Sequence, residues 1–269
     1  MTAATISVPD RGGSRPVTLR RVIASERVKF LTLRSTVSVL TVTLLAMVIV
    51  GAIVGWNTRH LSPVLDANDI VASSPLQGYY LGQLLIGTLG VLFVTGEYAT
   101  GQIRSTLVAV PRRLPVFWGK LTVFTAVTLV PLIAVSLAAF AIAEAIIGHY
   151  RVGFSLSDPG AARVVIGTGI YLTLIGILGM AIGWIVRSTP GAIVTYIGVI
   201  LVLPGIFGSV LGHWGKVVSE VLPSSTGAAF INTIPDGYAL RPWPGLMVMI
   251  GWLLLFLAVA ATLLRRRDA

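Results

Sequence analysis

Between Thr95 and Lys120 the chain reads TGEYATGQIRSTLVAVPRRLPVFWGK, and this one stretch gathers Glu97, Arg104, Arg112, Arg113 and Lys120. Glycines at 96 and 101 and prolines at 111 and 115 punctuate it. Charges at that density, on loop-forming backbone, go unsatisfied in hydrocarbon, so the segment has to project into water. Signatures of catalysis are missing. There is no H-E-x-x-H, no G-x-S-x-G and no G-x-x-x-x-G-K-[ST] phosphate loop; Gly119-Lys120 and Gly215-Lys216 are followed by Leu and Val. The three histidines, His60, His149 and His213, have no cysteine and few acids near them, so they make no metal-ligand set. No catalytic, cofactor-binding or metal residue is assigned to this chain. Within the apolar segments the polar candidates are few. Glu144 reads as a snorkelling or pore-mouth carboxylate, and Gln83 and Tyr196 as either a lining of a pathway or hydrogen bonds between helices.

The elements that must position these residues follow from composition. Of 269 residues 55% are hydrophobic and 11% charged, where a soluble domain carries about 25% charged. Mean hydropathy is +0.89. These values define a multi-spanning membrane protein and set aside a soluble enzyme. The net charge of +10 is the kind that nucleic-acid binders carry. Here the bases flank apolar runs, so they set topology and face anionic lipid, with no nucleic-acid partner. Cysteine is absent, which removes disulfide and thiol chemistry.

Taken in order, residues 1–16 are small, polar and rich in Gly and Pro, and read as a disordered arm. Residues 17–34 have a helical period: at about 100° per residue Leu19, Val22, Ile23, Phe30 and Leu33 form a stripe edged by Arg20, Arg27 and Arg34. Glu26 interrupts the stripe, within reach of Lys29 one turn on. This is an amphipathic helix suited to the membrane interface. The first apolar run starts near Thr36, too late for a cleaved leader, so it reads as a retained span. Six spans are expected, at about 37–56, 79–95, 116–147, 164–186, 192–211 and 245–264. Residues 35–269 thus form a single all-α membrane domain, with a water-exposed segment at 96–115. Pro131 should kink the third span and Pro204 lies inside the fifth. Small residues four apart, at Gly51/Gly55, Gly78/Gly82, Gly179/Gly183 and Gly208/Gly212, permit close helix packing without marking a particular face. If the N-terminus lies inside, fifteen of the twenty Lys and Arg fall in inner segments. That bias predicts both termini in the cytoplasm of a cell-membrane protein and makes 96–115 cytoplasmic.

The run EYATGQIRSTLVAVPRR, Glu97 to Arg113, resembles the cytoplasmic segment between spans two and three of bacterial, especially actinobacterial, ABC-2 type transporter permeases. ERVKFLTLRST, Glu26 to Thr36, is similar to the approach to their first span, and LPSSTGAAF, Leu222 to Phe230, to the segment before their last. The resemblance implies a permease subunit that dimerises and docks a separate cytoplasmic ATP-binding cassette subunit, where ATP and magnesium bind. It implies that 17–34 is the interfacial helix, that 97–110 forms or leads into the coupling helix, and that 213–232 are outer re-entrant helices. Transport is then export of a small or amphipathic molecule. On a helical wheel Glu97, Gly101, Arg104 and Val108 share one face, and Ile103, Leu107 and Val110 the other. The first face, with Arg112 and Arg113 just beyond, is the expected ATPase contact. Arg112 and Arg113 serve equally well as topology anchors. Six spans make a small unit, so a pathway for an organic substrate fits better between two copies, or a copy and a similar chain. Two other classes remain open: an ion-coupled secondary carrier, which nearly charge-free spans disfavour, and a non-transporting assembly or immunity protein.

Overall fold

The computed structural model describes residues 18–58, 76–109, 113–148, 156–157, 159–210, 212–232 and 240–266. Among these, the regular elements are all helical. They are α1 (Leu19–Thr32), α2 (Arg34–Thr58), α3 (Tyr79–Ala99), α4 (Gln102–Ala109), α5 (Leu114–Gly148), α6 (Ala161–Val186), α7 (Thr189–Ile197), α8 (Leu203–Val210), α9 (Gly212–Glu220), α10 (Pro223–Ile231) and α11 (Pro242–Arg266). A π-helical turn, Gly198–Val202, joins α7 to α8. The expected arm at 1–16, Arg112, His60 and His149 lie outside the described residues.

Among the described residues, six stretches are long and apolar enough to cross a membrane: Arg34–Asn57, Tyr79–Ala99, Leu114–Ile147, Ala161–Val186, Thr189–Val210 and Pro242–Arg266. Five cover their expected spans, most extending a few residues past them; the fifth matches 192–211 up to Val210, residue 211 lying outside the described residues. Hydropathy marks only the apolar middle, whereas backbone hydrogen bonding continues into the polar ends. The two prolines inside spans leave different traces in the helix ladder. α5 runs unbroken through Pro131. Before Pro204 the ladder widens into the π turn, one turn N-terminal to the residue that lacks an N–H and crowds a carbonyl.

α6 is the centre. Nineteen of its 26 residues are buried, and α3, α5, α7, α10 and α11 pack around it. Glycine sets the closest approach. A Cβ on Gly90 of α3 would stand 2.0 Å from the Gly176 carbonyl oxygen of α6, and one on Gly179 would stand 2.2 Å from that of Gly87. The two backbones touch where any side chain would separate them. Gly179 is therefore a packing position, facing Gly87.

Hydrogen bonds sort the helix termini into two ends. At one end Thr189 Oγ1 donates to Thr95 Oγ1 at 2.9 Å, and Arg113 Nη1 donates to the Leu264 carbonyl at 3.2 Å. Arg187 reaches the Leu263 carbonyl at 3.5 Å. The C-terminal ends of α3, α6 and α11 and the starts of α5 and α7 thus meet, and two guanidiniums cap the carbonyl end of α11, where a cation is favoured. At the other end Arg163 of α6 donates to the Phe230 carbonyl and, at 3.0 Å, to that of Asn232, holding the close of α10. Trp252 Nε1 donates to the Val221 carbonyl at 2.7 Å. α8 and α9 double back on each other through Gly212, whose φ of +60° suits glycine. The expected 213–232 segment thus comprises two short helices: α9, exposed with Trp214 outward, and α10, largely buried.

Candidate functional site

Four charged side chains meet where α1 crosses α3 and α5. Glu26 and Lys29 come from α1, Glu97 from the last turn of α3, and Lys120 from the second turn of α5. Lys120 Nζ lies 2.7 Å from Glu26 Oε2 and 2.9 Å from Glu97 Oε1. Lys29 Nζ lies 2.9 Å from Glu26 Oε1 and 2.8 Å from Glu97 Oε1. Charges alternate around a closed ring of two ammoniums and two carboxylates, with no net charge. The Lys120, Glu26 and Glu97 side chains are 1%, 2% and 8% exposed, and Lys29 is 30% exposed. Burying charges is tolerable only with such mutual compensation.

Local sequence explains the geometry. Val22, Glu26 and Phe30 recur every four residues along α1 and form its buried stripe. Phe30, Phe93 and Phe124 cluster beside the ring, their centroids 5.0 to 6.2 Å apart. The Phe93 ring faces Lys120 Nζ at 4.4 Å, a cation–π contact for the third ammonium proton. Lys29 feels opposing influences. Burial works against its charged form, but hydrogen bonds and attraction from Glu97 and Glu26 outweigh it and hold its pKa above the usual lysine value.

The expected coupling segment is shaped differently from a single continuous helix. The chain breaks at Thr100–Gly101, with Gly101 at φ +71°, a left-handed conformation that glycine adopts without strain. Glu97 therefore ends α3, while Arg104 and Val108 ride on α4. The common face drawn through Glu97, Gly101, Arg104 and Val108 does not form. Glu97 turns inward to the two lysines, whereas Arg104 is exposed and Val108 is 80% exposed. Ile103 is buried and seats α4 on the bundle. Arg113 is half-buried against α11.

A cleft of about 570 Å³ opens beside the ring, between the α1–α2 junction, the end of α3 and the start of α4. Its lining includes Lys29, Thr32, Glu97, Thr100 and Ser105. Glu97 Oε2 is buried and has no hydrogen-bond partner among the described residues.

Gln83 and Tyr196 do come together, deep in the bundle. Tyr196 donates to the Gln83 carbonyl at 2.5 Å and Tyr171 to Gln83 Oε1 at 2.5 Å. The Tyr196 ring lies against Gly87, where a Cβ would stand 2.0 Å from it. This geometry is that of interhelical hydrogen bonding among α3, α6 and α7. Glu144 is half-buried near the far end of α5, and no ion pair or hydrogen bond among the described residues joins it to that cluster.

Sequence reasoning missed Glu26, Lys29 and Lys120 as members of the site, and Tyr171 as the partner of Gln83. One signal was available: Glu26 sits on the apolar stripe of α1, where an acid requires a buried cation. The cation opposite, 94 residues away, has no local signature. No family model matches the chain, and no curated protein matches it.

Proposed function

We propose that this chain is the membrane permease subunit of an ABC-2 type transporter, working in pairs and driven by a separate cytoplasmic ATPase. In this reading the end that carries α4 and the capping arginines faces the cytoplasm. α1 lies along the inner interface, and α9 and α10 form the outer re-entrant pair. ATP and magnesium bind on the partner; this chain supplies the helices that surround the pathway and the surface that takes up the partner's movement. Export of a small or amphipathic molecule, such as a drug, antibiotic or lipid, fits spans that carry almost no charge.

The observation that carries the reading is α4. It is an eight-residue helix hinged from α3 at Gly101, anchored by Ile103 and presenting Arg104 and Val108 outward. It begins five residues after Glu97, which is ion-paired to α1 and α5. A push on α4 therefore reaches three helices through a short connection. Together with the Glu97–Arg113 resemblance, this is the form expected of a coupling element. The paired tyrosines on Gln83 favour a packing role there over ion coupling, which counts against a secondary carrier.

The test is co-expression with an ATPase encoded beside the gene. The ATPase should co-purify with the wild-type chain and be lost from Arg104→Glu, whose melting temperature should stay unchanged because the residue is exposed. Failure of any ATPase to co-purify, with transport insensitive to its deletion, overturns the assignment.

A further inference from the structure

Helix α1 carries a second apolar stripe. Val22, Glu26 and Phe30 form the buried one. Residues two apart on a helix stand about 200° apart, so Ala24 and Val28, two on from Val22 and Glu26, point the opposite way. Leu31 joins them, three residues past Val28. All three are exposed, Val28 at 60% and Leu31 at 50%. Among the described residues α1 packs on α5 and α2 through its other side, which leaves this stripe uncovered.

Arginines edge the outward stripe. Arg20 and Arg27, seven residues apart, run along the Leu31 side, and Arg21 lies on the other; all three are exposed. The one acid of α1 is Glu26, and it is turned inward to a ring with no net charge. The outward face is therefore apolar along its middle, with only positive charge at its edges. A guanidinium on such an edge stays at headgroup depth while its stem and the apolar residues beside it enter the acyl boundary. A protein partner would have to bring carboxylates in two rows, whereas an anionic leaflet presents phosphates throughout. The apolar surface also runs on toward the first span: Leu33 is 49% exposed at the junction, and Val37 is 43% exposed just beyond it.

We infer that the outward face of α1 binds anionic phospholipid of the leaflet it lies against, with acyl chains on Ala24, Val28 and Leu31 and headgroup phosphates at Arg20, Arg21 and Arg27. The lipid holds α1 from outside, as the charge ring holds it from inside. The inference rests on the interfacial placing of α1 and on no ATPase.

The test uses the full-length protein, which has no cysteine, carrying Val28→Cys labelled with bimane in phosphatidylcholine nanodiscs. Phosphatidylglycerol or phosphatidylcholine with the same nitroxide on its acyl chain is added at equal mole fraction, and quenching reports which lipid touches the face. Ile49→Cys on α2, 55% exposed within the first span, is the reference. At Val28→Cys phosphatidylglycerol should be preferred at least about fivefold, equivalent to ~1 kcal/mol, and the preference should fall as salt is raised. At Ile49→Cys the two lipids should quench alike. Adding Arg20→Gln with Arg27→Gln should remove most of the preference, and Arg20→Lys with Arg27→Lys should keep it. Arg27→Gln alone should cut it by about half and serves if the double variant does not fold. Absence of quenching at Val28→Cys places the face in water or against protein and overturns the inference, while leaving the docking of an ATPase on α4 untouched. A preference no larger than at Ile49→Cys, or one that survives intact without Arg20 and Arg27, also overturns it.

Discussion

Replacing Lys120 by methionine keeps the bulk of the side chain and deletes its charge. In the ring Lys120 holds Glu26 at 2.7 Å and Glu97 at 2.9 Å. At an effective dielectric constant of about 20, each such contact is a gross attraction of about 6 kcal/mol. Most of that is offset by the cost of desolvating the ammonium, which methionine does not incur. What remains is a surplus carboxylate, buried with only Lys29 to balance two acids. Breaking a buried pair in this way costs about 3–5 kcal/mol, a large part of a total stability of about 5–15 kcal/mol. The second mutation is the sharper part of the argument. Glu26→Gln added to Lys120→Met leaves Glu97 with Lys29, restores neutrality, and should recover at least half of the loss. Thermal unfolding of the four proteins of the cycle in detergent, with Glu26→Gln alone as the fourth, gives the coupling energy. The reasoning is refuted if Lys120→Met costs under about 1 kcal/mol, as an exposed pair would, or if the double mutant is no more stable than Lys120→Met.

Other consequences follow from single contacts. Gly179→Val should prevent α6 from seating on α3, because even a Cβ would stand 2.2 Å from the Gly87 carbonyl oxygen; expression without a folded, monodisperse peak in size-exclusion chromatography checks this. Tyr171→Phe takes the hydroxyl donor away from Gln83 Oε1 and should cost about 1–3 kcal/mol in thermal unfolding. Lys29 has a pKa raised above 10.5 by its two glutamates despite its burial. Its contribution is therefore fully present below that value and is lost as pH rises through the higher folded pKa. The stability gap between wild type and Lys29→Met should hold at neutral pH and shrink only in that alkaline range.

The spans were legible because hydrocarbon imposes one rule on a whole segment: about twenty consecutive apolar residues, whatever their neighbours. Length and hydropathy alone therefore located all six. The charged site was legible only in part. Arg104 could be placed on a water-exposed segment, since the charges clustered from Glu97 to Lys120 and the loop-forming glycines and prolines exclude that stretch from hydrocarbon. Glu97 could not be placed inside, because what turns it inward is Lys120 on the next long helix and Lys29 on α1, 68 residues earlier. A helical wheel assumes one unbroken axis, and Gly101 breaks it between Glu97 and Arg104. The glycine contacts between α3 and α6 were hidden for a related reason: a sequence with 29 glycines offers many small pairs, and only the partner backbone decides which of them touch.

The central claim is that α4 is where an ATPase docks, and the chain offers a clean background for testing it, having no cysteine. The direct measurement is site-specific cross-linking from Val108→Cys on α4, 80% exposed, compared with Trp214→Cys on α9, 79% exposed at the opposite end of the bundle. In membranes containing the neighbouring ATPase, a bifunctional thiol reagent should join Val108→Cys to that ATPase, with a yield that changes on adding ATP, and should leave Trp214→Cys unlinked. Equal linking from both positions, or none from Val108→Cys while the ATPase is present and folded, contradicts the account.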